Sequence, residues 1–350
     1  MRRWLIYATI TCSAHLWSCS DFGTPPKILG PRILYTSAEG EMNGDLVLME
    51  SDGSFKKRLT FGGGDHYFAR FTRNGSKILI TTALSAYNQD ISIISSDGSG
   101  FHRLTDTPFH DLYPSFSPDE SRIVFVSSRV DSAMAYFSDK GSDIFTMNAD
   151  GTNQVRLTSL STVCRNPQFS PDGTRIIFQA YVNGRDHIFV MGSDGSHLNQ
   201  LTHDTNFNRT PVVSPRDNII VYVSTPVGGD ASLVSIDYSG DNRRILSDIR
   251  FSHFAPSFSA DGQWILFSSS RLGYSEIHVV NIDGSSERRL TATDREDIDP
   301  SFSPDARKIV FISSRDNYMG DVFIMNADGT DQVNLTKGID YVTDPSFQPR

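Results

Sequence analysis

The apolar positions of this chain come in short bursts, never in long periodic runs. Residues 299–336 show the pattern in full. Asp299–Ser303 is one burst, Arg307–Ser313 (RKIVFIS) a second, Asp321–Met325 (DVFIM) a third and Gln332–Thr336 a fourth. Each is short, rich in β-branched and aromatic residues, and bounded by Pro, Asp, Asn or Gly, which predicts four strands and no helix. Between the first two lies a Ser-Pro-Asp turn, where proline supplies a fixed φ; most other copies add a glycine that supplies a positive one. Asn-Ala-Asp-Gly-Thr closes the last two strands as a tight hairpin.

The same pattern recurs along the chain. An Asp-Gly pair stands at Asp52-Gly53, Asp97-Gly98, Asp150-Gly151, Asp194-Gly195, Asp283-Gly284 and Asp328-Gly329, with Ser239-Gly240 filling the gap. The glycine spacings are 45, 53, 44, 45, 44 and 45. A Leu-Thr follows at Thr60, Thr105, Thr158, Thr202, Thr291 and Thr336, replaced by Leu246-Ser247 in the fifth copy. A Pro-Ser-Phe-Ser-Pro-Asp motif, variously degenerate, begins at Pro114, Pro167, Pro211, Pro256, Pro300 and Pro345, with Ala69 as its first counterpart. Each landmark occurs seven times, and residues 32–350 divide into units of about 45 residues. Four-stranded units at this period predict an all-β, seven-bladed β-propeller of antiparallel blades. The chain enters on a second-strand pattern at Arg32–Thr36 and stops on a first-strand pattern at Asp344–Gln348. The C-terminal strand is therefore expected to complete the N-terminal blade and remove open edges.

The unit Pro-Ser-Phe-Ser-Pro-Asp-Gly, then Ile-x-Phe-x-Ser-x-Arg, then Ile-Phe-x-Met-Asn-x-Asp-Gly and Leu-Thr, resembles the propeller repeat of the TolB family over residues 32–350. It is also similar to the propellers of tricorn-type and prolyl-oligopeptidase-type peptidases. The TolB resemblance implies a periplasmic binding module that engages an outer-membrane lipoprotein. It extends to the propeller alone, without the N-terminal α/β domain of TolB.

Residues 1–19 read as a signal peptide: Arg2 and Arg3 precede a mostly apolar stretch, Trp4 to Trp17, too short to span a bilayer. Leu16-Trp17-Ser18-Cys19 resembles a bacterial lipoprotein processing box, which makes Cys19 the candidate lipidation site; ordinary cleavage after Ser20 is the competing expectation. Residues 20–31, with Pro25, Pro26 and Pro31, form a tether. Of three cysteines, Cys12 lies in the signal and Cys19 is taken by lipid, so Cys164 has no partner for a disulfide. The formal charge of −9, with 32 Lys and Arg against 41 Asp and Glu, argues against a nucleic-acid partner.

Catalytic signatures are sparse. There is no His-Glu-x-x-His, Cys-x-x-Cys, phosphate-binding Gly-x4-Gly-Lys or Gly-x-Ser-x-Gly. The Asp-Gly pairs lack the further alternating oxygen ligands of a calcium loop and read as turns. Arg129, Arg271 and Arg315 each end a Ser-Ser-Arg at the close of a second strand, where pairing with a carboxylate of the blade is expected.

In an up-and-down blade, the connectors from strand two to three and from strand four to the next strand one share a face. These vary in sequence and carry the one large insertion, Val130 to Ser142, with Tyr136 and Phe137. The residue three before each repeat proline position reads His66, Asp111, Cys164, Asn208, His253, Asp297 and Val342. This ring is expected near the channel mouth on the variable face. Tyr67, Tyr113, Arg165, Arg209, Phe254 and Tyr341 lie beside it, so a binding site is expected there. Two His and two Asp suggest a metal, yet His66 and His253 come from distant blades, so no metal or other cofactor is expected.

The sequence thus predicts a monomeric, exported, lipid-anchored, non-catalytic scaffold of the bacterial envelope, in the periplasm or on the outer membrane. Its expected partner is an envelope protein or peptide, then a glycan, with no nucleic acid and no membrane contact beyond the lipid. Plain secretion is the alternative location. The alternative function is a metal-dependent oligosaccharide lyase resembling oligogalacturonate lyase, whose clustered metal-binding histidines this chain lacks.

Overall fold

A computed structural model describes residues 30–38, 44–61, 64–85, 88–129, 141–160, 162–248, 256–270, 273–338 and 341–349. The expected signal segment, Cys19 and the expected tether up to residue 29 lie outside them, as do Tyr136, Phe137, His253, Phe254 and Arg271. Within the described residues the chain is all-β, with no helix and seven four-stranded antiparallel sheets. Blade one draws its first strand, Val342–Phe347, from the C-terminus. The first strands of blades two to seven are Asp65–Phe71, Asp111–Phe116, Cys164–Phe169, Phe207–Val213, Ser257–Phe258 and Asp297–Phe302.

Closure follows the sequence-based expectation. Ile33 pairs with Phe347 and Ser37 with Val342. Beyond the strand, Gln348 accepts from Arg32 Nε at 2.8 Å and donates to the Gly75 carbonyl at 2.6 Å, reaching the next blade.

Second and third strands are buried on both faces, because each sheet is sandwiched between two others. One large side chain recurs mid-strand: Tyr35, Ile80, Phe125, Phe178, Tyr222, Phe267 and Phe311 are each at most 1% exposed. Burying one such side chain stabilises by about 1.5–3 kcal/mol. Apolar contacts form seven clusters, each between consecutive blades. Val124, Val126 and Ile144 of blade three meet Ile176, Phe178 and Phe189 of blade four. The ring-closing cluster joins Ile33, Tyr35 and Phe347 to Val310, Ile312 and Val322 of blade seven.

The recurrence of Asp-Gly and Leu-Thr has one cause. The hairpin glycine of each blade packs on the leucine of the preceding blade's outer strand. A Cβ on Gly151 would sit 2.7 Å from the Leu104 carbonyl, and one on Gly329 2.7 Å from that of Leu290. Gly53 meets Leu335 in the same way across the closure. The turn aspartates are committed locally: Asp150 accepts from the Thr152 amide and hydroxyl at 3.0 and 2.6 Å, and Asp97, Asp194, Asp283 and Asp328 accept in the same way from Ser or Thr two residues on. The Ser/Thr hydroxyl is the chief reason their pKa values fall below the usual carboxylate value.

Candidate functional site

First strands contact one another at six of the seven blade junctions among the described residues and form the wall of the central channel. Their inner edges have no strand partner, so a residue without an N–H is tolerated there. That accounts for Pro114, Pro167, Pro211, Pro300 and Pro345. Six of these strands also bulge, that of blade one included, whereas Ser257–Phe258 of blade six shows no shift among the described residues. Register shifts fall between Tyr67 and Arg70, Leu112 and Ser115, Arg165 and Gln168, Arg209 and Val212, and Ile298 and Ser301. The residue at the bulge adopts a left-handed φ of 50–53° in Phe68, Tyr113, Asn166, Thr210, Asp299 and Asp344. At two junctions side chains at this position act on their counterparts in the next blade. The Phe68 and Tyr113 ring centroids are 4.4 Å apart, and Asp344 couples electrostatically to Asp299.

The ring three residues before the prolines sits inside the protein. His66, Asp111, Cys164, Asn208, Asp297 and Val342 are at most 2% exposed. Each packs against the start of the preceding blade's third strand, where a second set of buried groups stands: Asp45, Asp90, Asp143, Glu276 and Asp321. Their partners repeat. Asp143 accepts from Arg156 Nη2 and Thr158 Oγ1, both at 2.6 Å. Asp90 accepts from Arg103 and Thr105 at 3.2 and 3.1 Å, and Asp321 from Asn334 and Thr336 at 3.0 and 2.7 Å. Glu276 accepts from Arg289 at 2.5 Å. The Leu-Thr hydroxyl thus has a second role: it binds this carboxylate and accepts the amide of the residue after it. These carboxylates were missed in the sequence, although an acidic residue fifteen before the Leu-Thr threonine was visible there.

Where an acidic ring residue meets an acidic third strand, a second arginine compensates. Arg129 reaches Asp111 at 2.8 Å and Arg315 reaches Asp297 at 3.1 Å, each stacked on a phenylalanine, Phe145 or Phe323. The Ser-Ser-Arg arginines at 129 and 315 therefore pair as expected. Burial pushes His66 down to about 4, so its ring is neutral at pH 7 and its 3.9 Å approach to Asp45 is no ion pair. Burial also raises the Cys164 thiol, with Asp143 adding to the effect.

The residues beside the ring form a half-buried arc along the channel mouth, with Arg209 exposed. Tyr67 donates to Asp65 at 2.8 Å and lies 6.4 Å from the Phe68 ring. Phe68 packs on Tyr113 with the rings tilted at 43°, and Tyr113 lies beside the Arg165 guanidinium. Arg165 approaches Asp186 at 3.7 Å, and Arg209 donates Nε to the same carboxylate at 2.5 Å. Arg209 and Arg185 flank the Phe207 ring at 4.6 and 4.7 Å. Four sequence-predicted residues, Tyr67, Tyr113, Arg165 and Arg209, are thus brought together, and Tyr341 stands exposed near Tyr67. Phe68, Phe207 and Arg185 were not anticipated. On the opposite side of the ring, the turns after the first strands enclose a cavity of about 840 Å³ lined in part by Arg70, Phe116, Gln168 and Arg216.

The sequence matches the TolB beta propeller domain family over residues 130–253 and 237–350. No curated protein sequence matches the chain. TolB from Acinetobacter baumannii is 20% identical, with a TM-score of 0.60 over 91% of this chain and 67% of that one. An oligogalacturonate lyase in complex with manganese is 14% identical, with a TM-score of 0.69 over 82% and 83%. A Mycobacterium tuberculosis puromycin-hydrolyzing peptidase is 12% identical, with a TM-score of 0.69 over 89% of this chain but 53% of that one. At these identities the likenesses concern fold.

Proposed function

The chain belongs to the TolB beta propeller domain family, and from that premise we propose that it is a non-catalytic scaffold of the bacterial envelope that binds a protein or peptide at the loop-side channel mouth. In this reading it is exported and held to the membrane by lipid on Cys19. One observation carries the binding site: Tyr67, Phe68, Tyr113, Arg165 and Arg209 form a contiguous arc on rigid first strands. Tyrosine and arginine are the residue types that most often dominate protein binding. The exposed tyrosines support the same face. Tyr181, Tyr274, Tyr318 and Tyr341 lie on or beside its connectors, and Tyr318 is 91% exposed.

A photo-crosslinking residue at position 113, used in cells, tests the assignment. A discrete envelope partner is expected, captured less in Arg165→Gln/Arg209→Gln and undiminished in Asp194→Lys on the opposite side. Capture abolished by Asp194→Lys but not by the arginine pair moves the site to the wrong-side turns. Release of unsaturated product from oligogalacturonate by the manganese-loaded protein would establish the lyase instead. Cys19→Ala should leave the membrane fraction or accumulate as uncleaved precursor; normal processing with full membrane retention contradicts the anchor.

A further inference from the structure

On the turn side, away from the channel, the junction of blades four and five carries a cation without the partners its counterparts have. Arg122, Arg175 and Lys308 open the second strands of blades three, four and seven, opposite Asn148, Gly192 and Asn326 of the third strands. Lys308 donates Nζ to Asn326 Oδ1 at 2.6 Å. Arg122 donates to Thr146 Oγ1 at 2.7 Å and, in blade four, to the Ser193 carbonyl at 3.2 Å. Blade four lacks both side-chain acceptors: Gly192 stands for the asparagine and Val190 for the threonine. Tyr238 of blade five stands where Ser193 would be, and the exposed Arg175 lies over its ring, 5.5 Å from the centroid. Among the described residues nothing accepts a hydrogen bond from the Arg175 guanidinium or forms a salt bridge with it. The turn aspartates of the blade are spent nearby: Asp172 accepts from Ser170 and Thr174, and Asp194 from Ser196.

Arg175 and Tyr238 line a cavity of about 690 Å³ with the buried Val190 and Met191, and Asp194, Ser196 and Asn199 also border it. Gly192, in the same lining, does not adopt the left-handed φ of the turn glycines, so it serves room rather than backbone shape. A Cβ there would stand 2.6 Å from Ser196 Oγ and 2.7 Å from Asp194 Oδ1. Tyr238 is 8% exposed, and its hydroxyl has no hydrogen-bond partner among the described residues. A buried hydroxyl left alone is costly. The counterparts of Tyr238 are Ser51, Ser96, Ala149, Ser193, Ile282 and Ala327, none aromatic, so the hairpin itself does not require the ring.

We propose that this cavity binds a hexose-sized ligand with one oxyanion group, a phosphate ester or a carboxylate, held by the Arg175 guanidinium and the Tyr238 hydroxyl, with ligand hydroxyls on Asp194, Ser196 and Asn199. Both central groups donate and neither has an acceptor, which selects an oxyanion. Asp194 accepts from a hydroxyl and repels a second anionic group, so the site favours a single charge. The volume suits a small molecule. The site lies outside the channel and is independent of the peptide-scaffold reading.

Calorimetric titration of the purified full chain with glucose 6-phosphate, glucuronate, glucose and inorganic phosphate tests it. One of the two anionic sugars should bind about tenfold or more tighter than glucose and inorganic phosphate, and the tighter of the two identifies the oxyanion. Arg175→Gln should weaken that sugar about tenfold, and Tyr238→Phe, which removes only the hydroxyl, about threefold. Gly192→Asn restores the acceptor that blades three and seven present and should also weaken it. Lys308→Gln, the same kind of change at the partnered position of blade seven, should leave affinity unchanged. Thermal melts establish that each variant folds. No binding of either anionic sugar overturns the inference, as does binding that Arg175→Gln and Tyr238→Phe leave undiminished. Loss in Arg175→Gln with none in Tyr238→Phe overturns the part given to the tyrosine. Inorganic phosphate that binds as tightly as the better sugar overturns the hexose-sized ligand.

Discussion

Blades three and four are built from the same parts and use one of them differently. In blade three, Asp143 opens the third strand and is bound by Arg156 and Thr158 of its own outer strand. In blade four the equivalent position is His187, which contacts Thr202, and Gln200 stands where the arginine would be. The carboxylate has moved one residue earlier, to Asp186. Side chains alternate faces along a strand, so a shift of one redirects the group. Asp186 now engages Arg209 on the first strand of the next blade. The same bond that staples blade three together therefore holds, in blade four, a cation at the channel mouth. In the proposed reading a repeat acquires a site when a structural pair is redirected by one residue.

The largest effect on this comparison should come from removing what both blades depend on. Deleting residues 344–350 exposes the blade-one edge and removes Phe347, and losing one core phenylalanine alone costs about 3–5 kcal/mol. Loss of the cooperative melt is expected for the whole ring, blades three and four included; a melt like that of the full chain contradicts ring closure. Next come the hairpins. Gly151→Ala in blade three brings a Cβ to 2.7 Å from Leu104 at φ +86°, whereas Gly184→Ala in blade four meets nothing within 4 Å at φ +81°. Both carry backbone strain of about 1–2 kcal/mol. Denaturant unfolding should show the larger loss for Gly151→Ala, by about another 1–2 kcal/mol for the clash; equal losses would remove the inter-blade stitch.

Two buried groups away from this pair give smaller, pH-dependent effects. His66 titrates near 4 when folded against 6.5 otherwise, so the unfolded chain binds more protons between these values. Its contribution falls as pH drops through that window, by up to about 3 kcal/mol. Asp299 has the opposite sign. Its folded value near 7 lies above its ordinary 3.8, so the folded state binds the proton more tightly and stability falls as pH rises from about 4 to about 7. Asp299→Asn should therefore raise the melting temperature at pH 8 more than at pH 4. His66→Gln should flatten the acid limb between pH 6.5 and 4. Parallel shifts at all pH values would refute both assignments.

The fold was legible because each blade repeats the same turn chemistry. Even so, Gly151 and Leu104 were visible only as separate landmarks, since nothing in the chain tells that a hairpin of one blade rests on the outer strand of another. The ring of His66, Asp111 and Asn208 looked like a channel lining because it opens the first strands. It is covered because the third strand of the preceding blade starts against it. The channel lining was half legible. Tyr67, Tyr113, Arg165 and Arg209 adjoin the ring in sequence, whereas Phe68, Asp299 and Asp344 were hidden by the bulge. A bulge breaks the alternation from which facing is inferred. Most bulge residues also precede a proline, which ordinarily favours extended backbone.

Two arginines of like chemistry decide the central claim. Arg156 and Arg209 each bind a buried carboxylate, one within blade three and one at the channel mouth. Capture from a photo-crosslinker at position 113 should be measured for Arg156→Gln and Arg209→Gln, each with its melting temperature. Arg209→Gln should lose about tenfold in capture with the melt nearly unchanged, and Arg156→Gln should keep capture while losing about 1–3 kcal/mol of stability. Full capture by Arg209→Gln, with loss of capture in a folded Arg156→Gln, would contradict the assignment of the site to the redirected pair.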